Sequence, residues 1–149
     1  MALMDIERYE DAISEVARVL KKKGRLVFSI THPCFDFDGK TSGEPVAEWK
    51  YEKGTENIVE KKALYLQVKK YFGVVKSEVS WDMKRLAKPF KTTSFHRTLT
   101  DYFQALHKSS FLVARLVEPK PTLRGAAKHP SLRKHMKIPH SIIIEAIKK

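Results

Sequence analysis

Ile6, Tyr9, Ile13, Val16 and Leu20 recur at steps of three and four residues. That spacing stacks them on one face of a 3.6-residue period and predicts a helix. Asp5 stands where an N-cap carboxylate would accept a free backbone N–H, and Glu7, Glu10 and Asp11 load the positive end of the helix dipole. Lys21, Lys22 and Lys23 complement the other end, and Gly24 is placed to take the left-handed conformation that closes a helix. Leu26–Ile30 then runs nearly continuously apolar and stops at Thr31-His32-Pro33, as a strand buried on both faces does. Helix, tight turn and buried strand together predict an α/β fold.

From Phe35 to Pro89 the pattern changes to a period of two. Leu64, Leu66 and Val68 alternate with Tyr65, Gln67 and Lys69; Val75, Ser77, Val79 and Trp81 share another face; Phe90–Phe95 is a third extended piece. Gly73 is placed to turn the first of these back into the second. Residues 35–90 therefore read as an antiparallel β excursion, or lid, inserted after the carboxyl end of a strand, where α/β sheets bind ligands. Thr98 with Asp101 opens a second helix through a capping box, with Leu99, Tyr102, Phe103 and Leu106 on its apolar face. Phe111–Val117 and the stretch from Ile142 to Ile147 are strands, and residues 119–139 between them read as an irregular basic loop. That connection has too little helical pattern for a right-handed crossover, so the last strand is expected to enter antiparallel. The whole chain, 1–149, is taken as one domain.

Charge changes the picture next. Lysine and arginine number 29 against 17 acidic residues, a formal charge of +12, while 42% apolar and 31% charged residues are ordinary globular values. The longest apolar run in the strand-like segments, Phe111–Ala114, is too short to cross a membrane. No secretory signal is visible at Met1–Glu7, and the single cysteine, Cys34, has no partner for an internal disulfide. A soluble cytoplasmic protein is the expectation. Between Glu118 and Glu145 lie Lys120, Arg124, Lys128, Arg133, Lys134 and Lys137 with no carboxylate, an electrostatic footprint suited to phosphates.

The order helix, buried strand, β excursion, helix, strand, loop, strand resembles the C-terminal half of a class I S-adenosylmethionine-dependent methyltransferase. Met1-Ala2-Leu3-Met4-Asp5-Ile6 looks like the segment leaving the fourth strand of such enzymes. Glu15–Lys21 with Gly24–Ile30 resembles their helix, turn and fifth strand, although the usual Pro-Gly-Gly turn is here Lys22-Lys23-Gly24. Thr31–Phe35, Phe95–Leu99, Tyr102-Phe103 and Leu116–Pro119 are similar to a small-molecule, type 11-like subgroup. The resemblance spans the chain and implies a Rossmann-like methyltransferase fold. Its small mixed sheet comes from residues 26–31, 111–118 and 141–148, with the antiparallel last strand between the other two.

The resemblance also implies S-adenosylmethionine as cofactor and an unidentified, small-molecule acceptor. The family holds the donor over a Gly-rich turn after its first strand, where main chain must come close. The six glycines here, at 24, 39, 43, 54, 73 and 125, form no G-x-G. The chain alone is therefore expected not to bind the cofactor and to be inactive by itself, and Met1 falls where the resemblance would place an internal residue. The bare edge of residues 26–31 predicts a partner, either a second copy or a separate N-terminal half. Two rival readings stand beside this one: a basic nucleic-acid-binding module, and an inactive methyltransferase remnant.

Methyl transfer relies on proximity and orientation, sometimes with a base. His32, just past a strand tip, and His96, before the second helix, are the candidate catalytic histidines; each could instead be a turn histidine bonded to backbone. Tyr71, Phe72 and Trp81 are candidates for an aromatic lid over substrate, and Arg97 for an anchor of a substrate carboxylate or phosphate. A Cys34–His32 nucleophile pair lacks an orienting partner in the sequence, with Asp36 and Asp38 nearby. His129, His135 and His140 are irregularly spaced, so no metal site is expected.

Overall fold

The computed structural model describes residues 2–35, 46–52, 62–81 and 87–149, without the side chain of Trp81. Its core is a three-stranded sheet of β1 (Arg25–Thr31), β7 (Ser141–Lys148) and β6 (Phe111–Val117), in the order β1-β7-β6. The last strand runs antiparallel to both neighbours, Ile30 opposite Ile142 on one side and Leu112 opposite Ile147 on the other. The flanking strands are therefore parallel to each other, and their carboxyl ends lie at one end of the sheet.

One face of this sheet carries Leu26, Phe28 and Ile30 of β1, Phe111 and Val113 of β6, and Ile142, Ile144 and Ala146 of β7. Helices α1 (Tyr9–Val19) and α2 (Leu99–Lys108) cover it through Tyr9, Ile13, Ala17, Tyr102, Ala105 and Leu106. Ile13, Leu106 and Ile144 are fully enclosed, which makes this layer the main hydrophobic contribution to the fold. The opposite face is open at Val27 and Leu112, which are 60% and 54% exposed. Among the described residues no strand pairs with the outer edge of β1.

The first helix departs from expectation at both ends. It begins at Tyr9, and Asp5 lies in a 3₁₀ turn, Leu3–Asp5, rather than capping it. The cause is Arg97, whose guanidinium gathers the carbonyls of Leu3, Ile6 and Glu7 and holds Ile6 extended. At the other end Lys23, not Gly24, takes the left-handed conformation, with φ 62°. Gly24 is needed for space, since a Cβ there would sit 2.7 Å from the Lys21 carbonyl oxygen. The open carbonyls of Ala17 and Leu20 receive the ammonium of Lys148, a C-terminal cap supplied by the last strand.

The excursion is antiparallel, but its hairpins differ from the expected one about Gly73. β2 (Ala47–Tyr51) pairs with β3 (Ala63–Val68), and β4 (Val75–Trp81) pairs with β5 (Phe90–His96). Gly73, at φ 85°, turns the chain between the two hairpins instead of closing one. Ala47 and Trp49 point into a buried patch, which fixes β2 as the partner of β3. Asp36, Asp38, Gly39, Gly43 and Gly54 lie outside the described residues. Thr98 and Asp101 form the expected reciprocal capping box at α2. The basic stretch 119–139 is not irregular throughout: it holds a short helix, α3 (Leu123–Lys128), and a 3₁₀ segment, Pro130–Met136. No helix among the described residues is long and apolar enough to cross a membrane.

Candidate functional site

The carboxyl ends of the two parallel strands bring together residues far apart in sequence. His32 follows β1 and Glu118 follows β6, and the His32 Nε2–H donates to Glu118 Oε1 at 2.8 Å. The Cys34 backbone N–H donates to His32 Nδ1 at 3.2 Å, so the ring is in the Nε2–H form with both nitrogens engaged. The imidazole is 3% exposed and packs on Phe35, with ring centroids 4.6 Å apart. Its backbone N–H donates to the carbonyl of His140, tying this corner to the start of β7.

His96 sits beside this corner at the end of β5, where the chain passes into α2. Its Nε2–H donates to the Tyr71 carbonyl at 2.9 Å, which leaves Nδ1 as the ring's acceptor nitrogen. The Tyr71 hydroxyl accepts the Leu99 N–H, the first amide of α2, at 3.2 Å. Burial pushes the Tyr71 phenol above its ordinary value; the Leu99 amide pulls it down, and the Cys34 thiol raises it by charge and by a hydrogen bond. His32, Cys34, Tyr71 and His96 are thus joined by a chain of direct contacts. Phe72 stands edge-on against Tyr71 and is exposed.

Of the remaining expected site residues, one cannot be placed and one is directed elsewhere. The side chain of Trp81 lies outside the described residues. Arg97 turns away: it is 4% exposed and donates to the carbonyls of Ile6 and Glu7 at 2.7 and 2.9 Å, with a longer contact to Leu3. It also lies between the rings of Tyr9 and Phe95, at 4.2 and 4.9 Å. The guanidinium is thus directed at main-chain carbonyls of the N-terminal segment, where it acts as a clamp, and not at the corner formed by His32 and His96. Its neighbour Tyr9 has its phenol pushed up to about 12, by burial first and then by the carboxylates Glu10 and Asp101. The Cys34–His32 pairing is likewise through main chain, not thiol to imidazole.

Glu118 is a residue that the sequence pattern did not single out for the site; it stood only at the border of the basic stretch. The signal was present: two parallel strands ending in His32 and Glu118 must deliver both to the same end of a sheet. Beyond Glu118 the chain opens a basic cleft, lined by Pro119–Pro121, Ser131, Leu132, Lys134, His135, His140 and Ser141. A second, more apolar groove runs along the surface of α2 from Leu99 to Lys108 and includes none of these groups. Among the described residues no three His, Cys, Asp or Glu side chains converge as metal ligands.

A grip for a large methyl donor needs main chain free of Cβ atoms at the carboxyl end of a strand that leads into a helix. None of the described glycines stands in such a place. Gly24 precedes β1, Gly73 links two hairpins, and Gly125 lies inside α3 against Thr122. The described residues therefore do not fit that group.

No protein-family model matches the chain, and no curated protein matches it either. Solved structures do. A protein assigned as an S-adenosylmethionine-dependent methyltransferase from Listeria monocytogenes is 25% identical, with a TM-score of 0.71 over 100% of this chain and 58% of its own. An S-adenosylmethionine-dependent methyltransferase from Mesorhizobium loti gives 20% identity and a TM-score of 0.67 over 99% of this chain and 59% of its own. The chain spans less than two thirds of the length of either. Its α/β fold is that of methyltransferase Rossmann-like domains, in the portion that these neighbours share with it.

Proposed function

We propose that this chain is the acceptor-side portion of an S-adenosylmethionine-dependent methyltransferase of the class I, small-molecule type. The observation that carries the proposal is the polar corner at the carboxyl ends of β1 and β6, set on a fold that superimposes along its whole length on part of the Listeria protein. When bound, the cofactor would supply an electrophilic methyl group, for which the described residues offer no close-approach turn. What this chain contributes is a place for the acceptor. In this proposal His96, its imidazole fixed by the Tyr71 carbonyl, is the group that takes a proton from the acceptor. The His32–Glu118 pair fixes the loop that carries Cys34 and Phe35 and keeps the corner polar. In this proposal Tyr71, whose ring meets that of His96, and Phe72 against it form the aromatic side of the site.

The unpaired edge of β1 and the apolar face at Val27 and Leu112 are the surface on which the rest of such an enzyme would be built. The partner is accordingly a polypeptide that carries the donor-binding turn, in preference to a second copy of this chain. The experiment is complementation. The chain is mixed or co-expressed with the remaining portion of the Listeria protein, and S-adenosylhomocysteine formation is followed with a panel of small-molecule acceptors. Turnover that needs both pieces and falls at least tenfold with His96→Gln supports the proposal. Turnover by this chain alone, or a co-purified complex with no turnover on any acceptor, contradicts it.

A further inference from the structure

We propose that the cleft between the end of β6 and the start of β7 binds a phosphate monoester, so that the acceptor presented to the His96 corner is a phosphorylated small molecule. The cleft encloses about 560 Å³, enough for a phosphate and a few attached atoms. Lys120, Lys134, His135 and His140 bring nitrogen donors to its wall, Ser131 and Ser141 bring hydroxyls, and no carboxylate among the described residues lines it. The neighbouring sequence has no acidic residue from Pro119 to Ile144.

Two features make this a shaped site and not a merely basic surface. Lys134 is held in place by β2: its ammonium lies 5.8 Å over the Trp49 ring and donates to the Tyr51 hydroxyl at 3.4 Å. His135 and His140 stand face to tilted face with centroids 4.9 Å apart, across the join between the 3₁₀ segment and β7. Positive charge has been collected there at a cost that the titration of His135 registers. Burial first, then His140 and Lys134, lower it to about 4, while a hydrogen bond to the Ile138 backbone pulls the other way. A phosphate dianion among these groups removes that cost, because it offers acceptors to the lysines and favours protonation of the imidazoles.

Placement decides what the phosphate belongs to. Pro119 of the wall follows Glu118 directly, and His140 accepts a hydrogen bond from the His32 backbone. A group seated in the cleft is therefore adjacent to the polar corner, where the rest of the molecule would lie. Among the described residues no Phe, Tyr or Trp lines the cleft, and stacking of a nucleic-acid base needs such a platform.

The test needs no methyl donor, so its failure and that of the methyltransferase proposal are separable. The full chain is titrated with inorganic phosphate, glycerol phosphate and, at matched ionic strength, sodium chloride, with the imidazole resonances of His135 and His140 observed by NMR. A short single-stranded oligonucleotide is the fourth arm. The expected result is saturable binding of glycerol phosphate, tighter than inorganic phosphate, with the His135 midpoint rising on binding. Lys134→Gln should weaken it by about tenfold, the loss of one charge-assisted hydrogen bond, and Lys128→Gln outside the cleft should leave it unchanged. Equal shifts with chloride overturn the proposal. So does saturation by inorganic phosphate alone, or an oligonucleotide that binds more tightly and perturbs lysines beyond the cleft.

Discussion

Replacing Arg97 with methionine keeps most of the side-chain volume and removes the guanidinium that gathers the N-terminal segment. Two of its contacts are short, 2.7 Å to the Ile6 carbonyl and 2.9 Å to that of Glu7, and the Leu3 contact at 3.4 Å is weak. A hydrogen bond to a charged group contributes roughly 1.5–3 kcal/mol, so the two short ones together give about 3–6 kcal/mol. Stacking between Tyr9 and Phe95 adds roughly 0.5–2 kcal/mol. Against this stand the cost of burying a cation and the water that reaches the carbonyls of a segment whose Ile6 is 38% exposed. The expected net loss is about 3 kcal/mol, or roughly 6–12 °C in melting temperature for a domain of this size. Urea denaturation gives the loss, and amide exchange gives its location, since Asp5 and Ile6 carry the protected N–H groups of the 3₁₀ turn. Arg97→Lys should recover less than half, because one ammonium cannot span carbonyls of three residues. A loss below about 1 kcal/mol, or unchanged exchange at Asp5 and Ile6, would refute the clamp.

Other consequences are as specific. Lys23→Gly should stabilise by about 1 kcal/mol in thermal melts, because Lys23 bears the left-handed backbone that glycine adopts without strain. Gly24→Ala should do the reverse, its Cβ forced 2.7 Å from the Lys21 carbonyl; equal melting of the two variants would count against the turn geometry. Thr98→Ala should cost about 1–2 kcal/mol by chemical denaturation through loss of the capping box at α2. His135 binds its proton less readily when folded, so the unfolded chain takes up more protons between about pH 4 and 6.5. Stability is then lost as pH falls through that window, by an amount on the order of 1 kcal/mol once screening of a half-exposed group is allowed for. His135→Asn should flatten that part of the curve, and an unchanged slope would remove His135 as its source.

The elements that could be read from sequence are those whose pattern is local. The body of α1, the capping box of α2 and the strands at 111–117 and 141–148 follow from periodicity and caps alone; the antiparallel entry of the last strand follows from the weak helical pattern before it, and its central position from the methyltransferase resemblance. What failed was set by long-range contacts. The start of α1 depends on Arg97, about ninety positions away, and its end on Lys148 at the far terminus. Gly73 promised a hairpin because a turn signal says where a chain bends and not which strand it pairs with. At the site, His32 was legible as a strand-end histidine and His96 as one before the second helix, whereas for Arg97 the sequence offered a substrate anchor or a surface salt bridge and gave no sign of its carbonyl partners. The His32–Glu118 contact was implied by topology, and the Lys134–Trp49 contact was implied by nothing in the sequence.

The central claim is that these residues present an acceptor but do not grip the methyl donor. Calorimetric titration of S-adenosylmethionine into the purified chain tests it most directly, with S-adenosylhomocysteine as a second ligand. The account predicts no saturable heat for either ligand up to millimolar concentration. One-site binding with a micromolar dissociation constant would contradict it.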